Sequence, residues 1–376
     1  MNPTIPHIHR LQVRNYRCLE DIDIPLSNLI ALVGENGAGK STILDALRFV
    51  RDVFVLGLDT ALQNRHGLGT ICRWSPRALS SECFINLHLR GAGWSGAYGF
   101  ALASRPSGQP QVTWERFTNT ITDEETGEKV QTVLETKEGK WVHIPESLQL
   151  KELHYGGEKW LSLSGQTLVF PALGLYLPAT REVYTFLKTM GFYDLSPDVL
   201  REPQKPSTLT PLRERGENLG VVLRDLAENP NSEANTLIET ALGQVVSGIH
   251  GYTVAQVGGY LITYLNHGTK NKDEEERRSH LELAYESNGT LRILGILTAL
   301  FQEPPRSLLT IEEPEMVLHP KKIEVLVQVL KQASTRSQVL ITTHHPDLIA
   351  LLPADSHLIV KRENGWTTVF PARPPR

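Results

Sequence analysis

Gly34-Glu35-Asn36-Gly37-Ala38-Gly39-Lys40-Ser41 fits the pattern G-x-x-x-x-G-K-[ST] without a mismatch, and its reading decides the fold. Glycines let the backbone curl until its N–H groups point at phosphate oxygens, where a Cβ would clash or forbid the dihedrals. Lys40 reaches the β- and γ-phosphates. The Ser41 hydroxyl can ligate magnesium, and a helix starting here turns its positive end toward the same anion. The flanks agree. Leu29–Val33 is a continuous apolar run, as in a strand buried on both faces, and Ile43, Leu44, Leu47 and Val50 then recur at helical spacing to about Asp52. Strand, loop and helix in this order predict a site for ATP with Mg2+, with Gly34, Glu35, Asn36, Gly37, Ala38, Gly39, Lys40, Ser41 and Thr42 as the nucleotide-binding residues.

Around this centre, residues 8–13 and 19–24 alternate apolar and polar side chains, the period of strands with one buried face. Residues 84–89, 97–103, 112–117 and 161–169 are short β-type runs split by Gly, Pro and Ser, which predicts an antiparallel section. Residues 183–190, 218–228 and 234–249 turn helical, with the Pro-rich stretch 203–211 between them. Strand pattern returns at 252–266 and 281–285, and the charged run 270–278 reads as a solvated hairpin. A helix at 290–301, a strand at 307–311, a helix at 321–333 and a strand at 338–342 follow, with short strands at 357–361 and 367–370. Such alternation predicts an α/β core with a parallel sheet. The core opens at residues 1–175, breaks for a helical insertion or lid at 176–250, and finishes at 251–376.

A chain of 376 residues fits one large domain with insertions, or two domains. A net charge of −4 argues against general nucleic-acid affinity and leaves room for a local basic patch; Arg10, Arg14, Arg17, Arg48 and Arg51 cluster near the loop in sequence. Cys18, Cys72 and Cys83 lack zinc-ligand spacing and read as thiols in a reducing compartment. Residues 1–7 contain no apolar core of signal-peptide length, and no stretch of about 18 apolar residues exists to span a membrane. A cytoplasmic location with no membrane partner is expected.

Hydrolysis needs a metal ligand and a group to orient water. Ser307-Leu308-Leu309-Thr310-Ile311-Glu312-Glu313 is an apolar strand that ends in two adjacent carboxylates. Strand alternation sends the two to different sides, so Glu312, with Ser41, is assigned to magnesium, and Glu313 to the attacking water. Thr342-Thr343-His344-His345-Pro346 follows another strand, at the end where α/β sheets bind ligands; His344 is read as a donor to the γ-phosphate or a polariser of water. A zinc site would need a third ligand, and none has convincing spacing. Ser287-Asn288-Gly289 opens a helix, which by itself is an ordinary N-cap.

Taken together, these motifs resemble the ABC-type ATPases. Within them the chain is similar to the RecF/SMC-like branch, and more narrowly to predicted AAA family ATPases related to OLD proteins but without a TOPRIM nuclease domain. Asn15-Tyr16-Arg17-Cys18-Leu19 resembles the Asn-Phe-Arg-Ser-Leu opening of that branch. Tyr-Asp-Leu-Ser-Pro-Asp-Val-Leu-Arg-Glu-Pro at 193–203, Gly216-Glu217-Asn218-Leu219, Ser-Asn-Gly-Thr-Leu-Arg at 287–292 and Ile-Glu-Glu-Pro-Glu…Leu-His-Pro at 311–320 resemble its local signatures. The resemblance covers most of the chain and implies a P-loop NTPase of ABC-ATPase head type, with a mixed or parallel sheet core, an antiparallel β section and a helical insertion. It also implies a homodimer or higher oligomer formed with ATP, in which Ser287, Asn288, Gly289 and Thr290 of one head complete the site of the other. Glu312 falls on the Walker B aspartate, Glu313 on the catalytic glutamate, His344 on the switch histidine, and residues 315–319 on the loop that crosses the dimer interface. Three departures stand out: Glu312 for the commoner Asp, His345 where many relatives have Ser, and Met316-Val317 for a polar or glycine-bearing pair. Gln63 and Arg65 are the candidates for the Q-loop position.

The leading expectation is an ATPase that dimerises on ATP and couples hydrolysis to DNA or a partner effector, in antiphage defence or DNA maintenance. The alternative is a slow-turnover nucleotide-sensing scaffold that holds a separately encoded nuclease or toxin. An independent nuclease is disfavoured because about thirty residues after His345 are too few for a TOPRIM domain. A transporter ATPase is disfavoured because the insertion at 84–280 has no docking role there.

Overall fold

The computed structural model describes residues 5–72, 82–105, 108–122, 126–143, 154–155, 158–159, 166–174, 177–208, 210–229, 232–268, 279–316 and 318–372. The expected hairpin at 270–278, residues 161–165 of the expected strand 161–169, and Val317 lie outside them. In chain order the strands are β1 (His7–Tyr16), β2 (Leu19–Pro25), β3 (Leu29–Val33), β4 (Cys83–Gly91), β5 (Trp94–Ser104), β6 (Pro110–Thr122), β7 (Lys129–Lys137), β8 (Lys140–His143), β9 (His154–Tyr155) and β10 (Glu158–Lys159). They continue with β11 (Gly191–Tyr193), β12 (Ile249–Val257), β13 (Tyr260–His267), β14 (Ser279–Glu282), β15 (Leu308–Glu312), β16 (Gln338–Thr343), β17 (His357–Glu363) and β18 (Trp366–Pro371). The chain divides into two compact units.

The first unit comprises residues up to Ser27, Gly34–Met190 and the residues from Leu358 onward. Its strands run in the order β17–β18–β2–β1–β4–β5–β6–β7–β8. Neighbours are antiparallel throughout β1 to β8, as the short alternating runs predict. Cys83, Ile85, Leu87 and Leu89 of β4 are fully buried at period two, on the same face as Tyr98, Phe100 and Leu102, which pair with three of them from β5. The helix Lys40–Leu56 packs on this face through aromatic edges: Phe49 meets Phe100 at 5.8 Å and Phe54 meets Tyr98 at 5.0 Å. The helix runs a turn beyond the expected end because Val53 and Phe54 continue its buried stripe. Beyond residue 165, the expected strand instead approaches a helical turn at Phe170–Leu173, and the buried Phe170 ring stacks on Phe117 at 4.2 Å.

The second unit comprises Asn28–Val33 and Gly191–His357, so the expected insertion 176–250 is shared between the units at Met190/Gly191. Here β11, β15, β16 and β3 pair in that order, every pair parallel. The helix Asn288–Phe301 is buried on nearly all sides by Leu291, Ile293, Leu294, Ile296, Leu297, Ala299, Leu300 and Phe301, the mark of a core helix. It shares a core with the helices Leu219–Glu228, Glu233–Val245 and Ile323–Ala333 and with the inward side chains of the sheet. A separate antiparallel sheet, β12–β13–β14, resolves the long strand pattern of 252–266 into a hairpin turning at Gly258-Gly259.

Candidate functional site

In the first unit, the segment from Gly34 to Gly39 joins β3 to the helix Lys40–Leu56. Gly37 has φ 79° and Gly39 φ 110°, left-handed conformations that disfavour any other residue. The packing is equally strict. A Cβ on Gly34 would lie 2.2 Å from the Val360 carbonyl oxygen, and one on Gly39 would lie 2.2 Å from Thr367 Oγ1. Both neighbours belong to the β17–β18 hairpin, which also braces the loop by hydrogen bonds. Thr367 Oγ1 donates to the Ala38 carbonyl at 2.8 Å, and Arg362 Nη1 to the Gly37 carbonyl at 3.3 Å. Glu35, Asn36, Gly37 and Ser41 are exposed.

Lys40 is only 7% exposed. Its ammonium donates to the carbonyls of Gly34 at 2.6 Å and Glu35 at 3.0 Å. Among the described residues no carboxylate pairs with it. A buried cation resting on carbonyls alone has room for an anion as partner. The loop's donor set and glycine cradle therefore fit a phosphate group. Thr42 Oγ1 lies 3.3 Å from Cys18 Sγ, and the helix begins with no acidic residue in its first turn to oppose an incoming anion.

The neighbouring arginines are engaged elsewhere. Arg10 pairs with Asp23, Arg17 with Asp45 at 3.1 Å and Arg51 with Asp52 at 2.7 Å, while Arg14 covers the Phe84 ring at 4.3 Å. Arg65 is buried between Asp45 at 3.1 Å and Asp52 at 2.9 Å, an internal brace on the Lys40–Leu56 helix.

In the second unit, β15 and β16 end side by side: Glu312 pairs with Thr342 across the parallel register. On its other edge β16 pairs with β3, with Thr343 opposite Val33, the residue before Gly34. Glu312 is exposed at the strand end. Glu313 lies beyond the strand in a left-handed turn at φ 44°, so strand alternation does not set the direction of its side chain. Its backbone N–H donates to the Thr342 carbonyl at 3.0 Å, and its Oε1 meets His344 Nδ1 at 3.0 Å. His344 is half exposed while Glu313 is largely covered. Arg292, from the helix Asn288–Phe301, donates to the Glu312 carbonyl at 2.9 Å and the Glu313 carbonyl at 3.3 Å.

Ser287 caps that helix by accepting from the Thr290 N–H at 3.1 Å. Ser287 and Asn288 are exposed, and Arg201 fixes the Asn288 side-chain oxygen. Tyr285 and Met316 are exposed apolar side chains, at 76% and 65%. Sequence reasoning missed the roles of Arg292, Arg201, Thr343, Arg362 and Thr367. The first three lie inside segments it had singled out, which was the available signal. Glu315, which it placed only in a loop, is buried; burial pushes its carboxyl above the usual range, and it accepts a hydrogen bond from Thr343.

Among the described residues no three His, Cys, Asp or Glu side chains gather into a metal cage. Magnesium at a triphosphate site does not need one, since phosphate oxygens, water, a hydroxyl and a single carboxylate suffice.

Residues 116–350, more than half of the chain, match the family model described as "AAA domain, putative AbiEii toxin, Type IV TA system". The chain belongs to this AAA family. Residues 7–61 of this AAA protein, which include the phosphate loop, match a second model, "AAA ATPase domain". Over 43 residues it is 65% identical to the OLD nuclease of Thermus scotoductus, a match that spans 11% of this chain and 8% of that protein. Among solved structures, the Smc head domain with a coiled coil and joint from Pyrococcus yayanosii is 11% identical, with a TM-score of 0.52 and coverage of 98% of this chain and 97% of that one. The Smc head domain with an extended coiled coil from Pyrococcus furiosus, solved bound to the C-terminal domain of ScpA, is 12% identical, with a TM-score of 0.50 and coverage of 97% and 96%. These likenesses establish the fold of the AAA protein as that of an ABC-type P-loop head. No helix among its described residues is long and apolar enough to cross a membrane.

Proposed function

We propose that this AAA protein binds ATP with magnesium on Gly34, Glu35, Asn36, Gly37, Ala38, Gly39, Lys40, Ser41 and Thr42 and hydrolyses it. The observation that carries the reading is the parallel register: Glu312 pairs with Thr342, and Thr343 with Val33, one residue before the phosphate loop. The carboxylates, the histidine and the last residue of β3 thus lie at the same end of one sheet, the end where α/β sheets bind ligands. In this reading Lys40 holds the β- and γ-phosphates, and Ser41 and Glu312 hold magnesium. The metal, when bound, neutralises charge on the phosphates. Glu313 orients the attacking water and takes its proton, and His344 donates to the γ-phosphate side. Steady-state turnover of the purified protein tests this: Lys40→Ala and Glu313→Gln should each abolish phosphate release. Equal turnover in all three proteins sinks the proposal.

The same reading makes ATP a dimerisation signal, with Ser287, Asn288, Gly289 and Thr290 of one copy completing the site of another. The exposure of Ser287 and Asn288 and the exposed Tyr285 and Met316 support it. Glu313→Gln should double in mass on adding ATP and magnesium; an unchanged mass by light scattering counts against it. What the switch drives, whether DNA or a nuclease or toxin partner in defence or DNA maintenance, is a proposal that rests on the short OLD nuclease likeness.

One observation favours the slow-turnover scaffold. The Glu313 Oε1 is engaged by His344 at 3.0 Å, which leaves Oε2 as the oxygen open to an attacking water. Turnover below about one per minute together with a stable stoichiometric partner complex would select this second reading.

A further inference from the structure

The turn after β15 carries a second carboxylate, two residues beyond Glu313. Glu315 is 4% exposed, whereas Glu313 faces His344. Pro314 fixes the chain between them. Glu315 Oε1 accepts from Thr343 Oγ1, and Thr343 Oγ1 in turn accepts from the His345 N–H at 3.0 Å. The two glutamates therefore grip adjacent residues at the end of β16, Glu315 through Thr343 and Glu313 through His344. The circuit closes through the backbone on both sides: Met316 N–H donates to the Glu313 carbonyl at 3.2 Å, and Leu318 N–H to the Glu315 carbonyl at 2.8 Å.

The arrangement is costly. Glu315 Oε2 and His345 Nδ1 are buried with no hydrogen-bond partner among the described residues. Leaving one such atom unsatisfied costs about 1–3 kcal/mol, whereas an apolar pair of the same shape would fasten the loop to β16 without that cost. A buried hydrogen bond fixes direction and distance, which an apolar contact does not. What the link controls is the backbone on which His344 stands.

We propose that Glu315 is a positioning residue for hydrolysis, holding the backbone of residues 343–345 through Thr343 so that His344 and Glu313 keep the registry in which they meet. Glu315 does not itself touch the reacting atoms. The proposal rests on the hydrolytic reading of Glu313 and His344. A misplacement of about 1 Å at a reacting group costs about 100-fold in rate.

The test measures kcat and nucleotide affinity separately, on the full chain, with mant-ATP as the binding probe. Glu315→Ala and Thr343→Val should each lower kcat by about 100-fold and leave the mant-ATP Kd within about twofold. The double variant should be no slower than either single one, because both cut the same link. Thr343→Ser keeps the hydroxyl and should hold kcat within about threefold of wild type. If Glu315→Ala fails to fold, as seen by its melting profile, the Thr343 pair decides alone. Full turnover in Thr343→Val overturns the proposal while Glu313→Gln remains inactive, which leaves the hydrolytic reading standing. Additive losses in the double variant also overturn it. A wild-type protein without turnover overturns both readings together.

Discussion

Two turns follow parallel strands in this molecule, and both need left-handed backbone. After β3 the turn uses glycine, at Gly37 and Gly39. After β15 it uses a glutamate, Glu313, at φ 44°. Glycine adopts this conformation freely, whereas a residue with a Cβ gives up about 1–2 kcal/mol. The first turn works through its backbone, so side chains there are only in the way. The second works through a side chain, so the backbone carries strain, offset by the bond from the Glu313 N–H to Thr342. Sequence motifs record the first kind of turn in its glycines and hide the second.

Exchanging the two solutions is the sharpest test. Glu313→Gly should cut turnover by about 1,000-fold and at the same time raise stability by about 1 kcal/mol in urea titrations. A loss of stability would mean that the carboxylate, and not the strain, dominates that turn. The reverse exchange, Gly39→Ala, meets Thr367 and forbids the loop conformation. It should weaken mant-ATP binding by about 100-fold, or about 2.7 kcal/mol. Unchanged affinity would show that the loop relaxes around a Cβ.

A third carboxylate asks whether backbone N–H groups can offset a costly glutamate away from any turn. Glu115 of β6 is fully buried and accepts from Val169 N–H at 2.6 Å, Phe170 N–H at 2.9 Å and Tyr98 O–H at 3.0 Å. Burial nevertheless pushes its carboxyl from 4.5 to about 7. The folded protein thus holds this proton more tightly than the unfolded chain. Its contribution is full below pH ~4.5 and is lost as pH rises through ~7. Against Glu115→Gln, the wild type should lose about 2–3 kcal/mol of stability between pH 5 and pH 8, from urea midpoints at each pH. A flat difference would show that the three donors fully offset burial. The smallest effect is expected at Thr367→Val, which removes one donor from the phosphate loop; a loss of about 1 kcal/mol of mant-ATP affinity, a five- to tenfold weaker Kd, is expected.

How much of this was legible follows the same division. The loop, the strand before it and the helix after it could be read residue by residue, because backbone demands leave glycine and period behind. Strands with one buried face, such as β1 and β4, announced themselves by alternation. β7 did not: Lys129, Val130 and Gln131 are exposed, so little pattern marks it. β11 has only three residues, Gly191–Tyr193, too few to show a period, and was given no strand reading after the helical run 183–190. The helix expected to reach residue 249 stops at Val245, where Gly248 at φ 85° turns the chain into β12. The link from Glu315 to Thr343 spans 28 positions and carries no periodic signal. Only the folded sheet reveals it. The Arg292 contacts to the carbonyls of Glu312 and Glu313 are hidden for the same reason.

The brace from Thr367 to Ala38 joins residues 329 positions apart. A ribosome adding about 5–20 residues per second would finish the phosphate loop tens of seconds before it makes the hairpin that steadies it. During synthesis the nascent loop is therefore an unsupported glycine turn beside a helix that lacks its final neighbours. Nucleotide capture should follow the making of that hairpin.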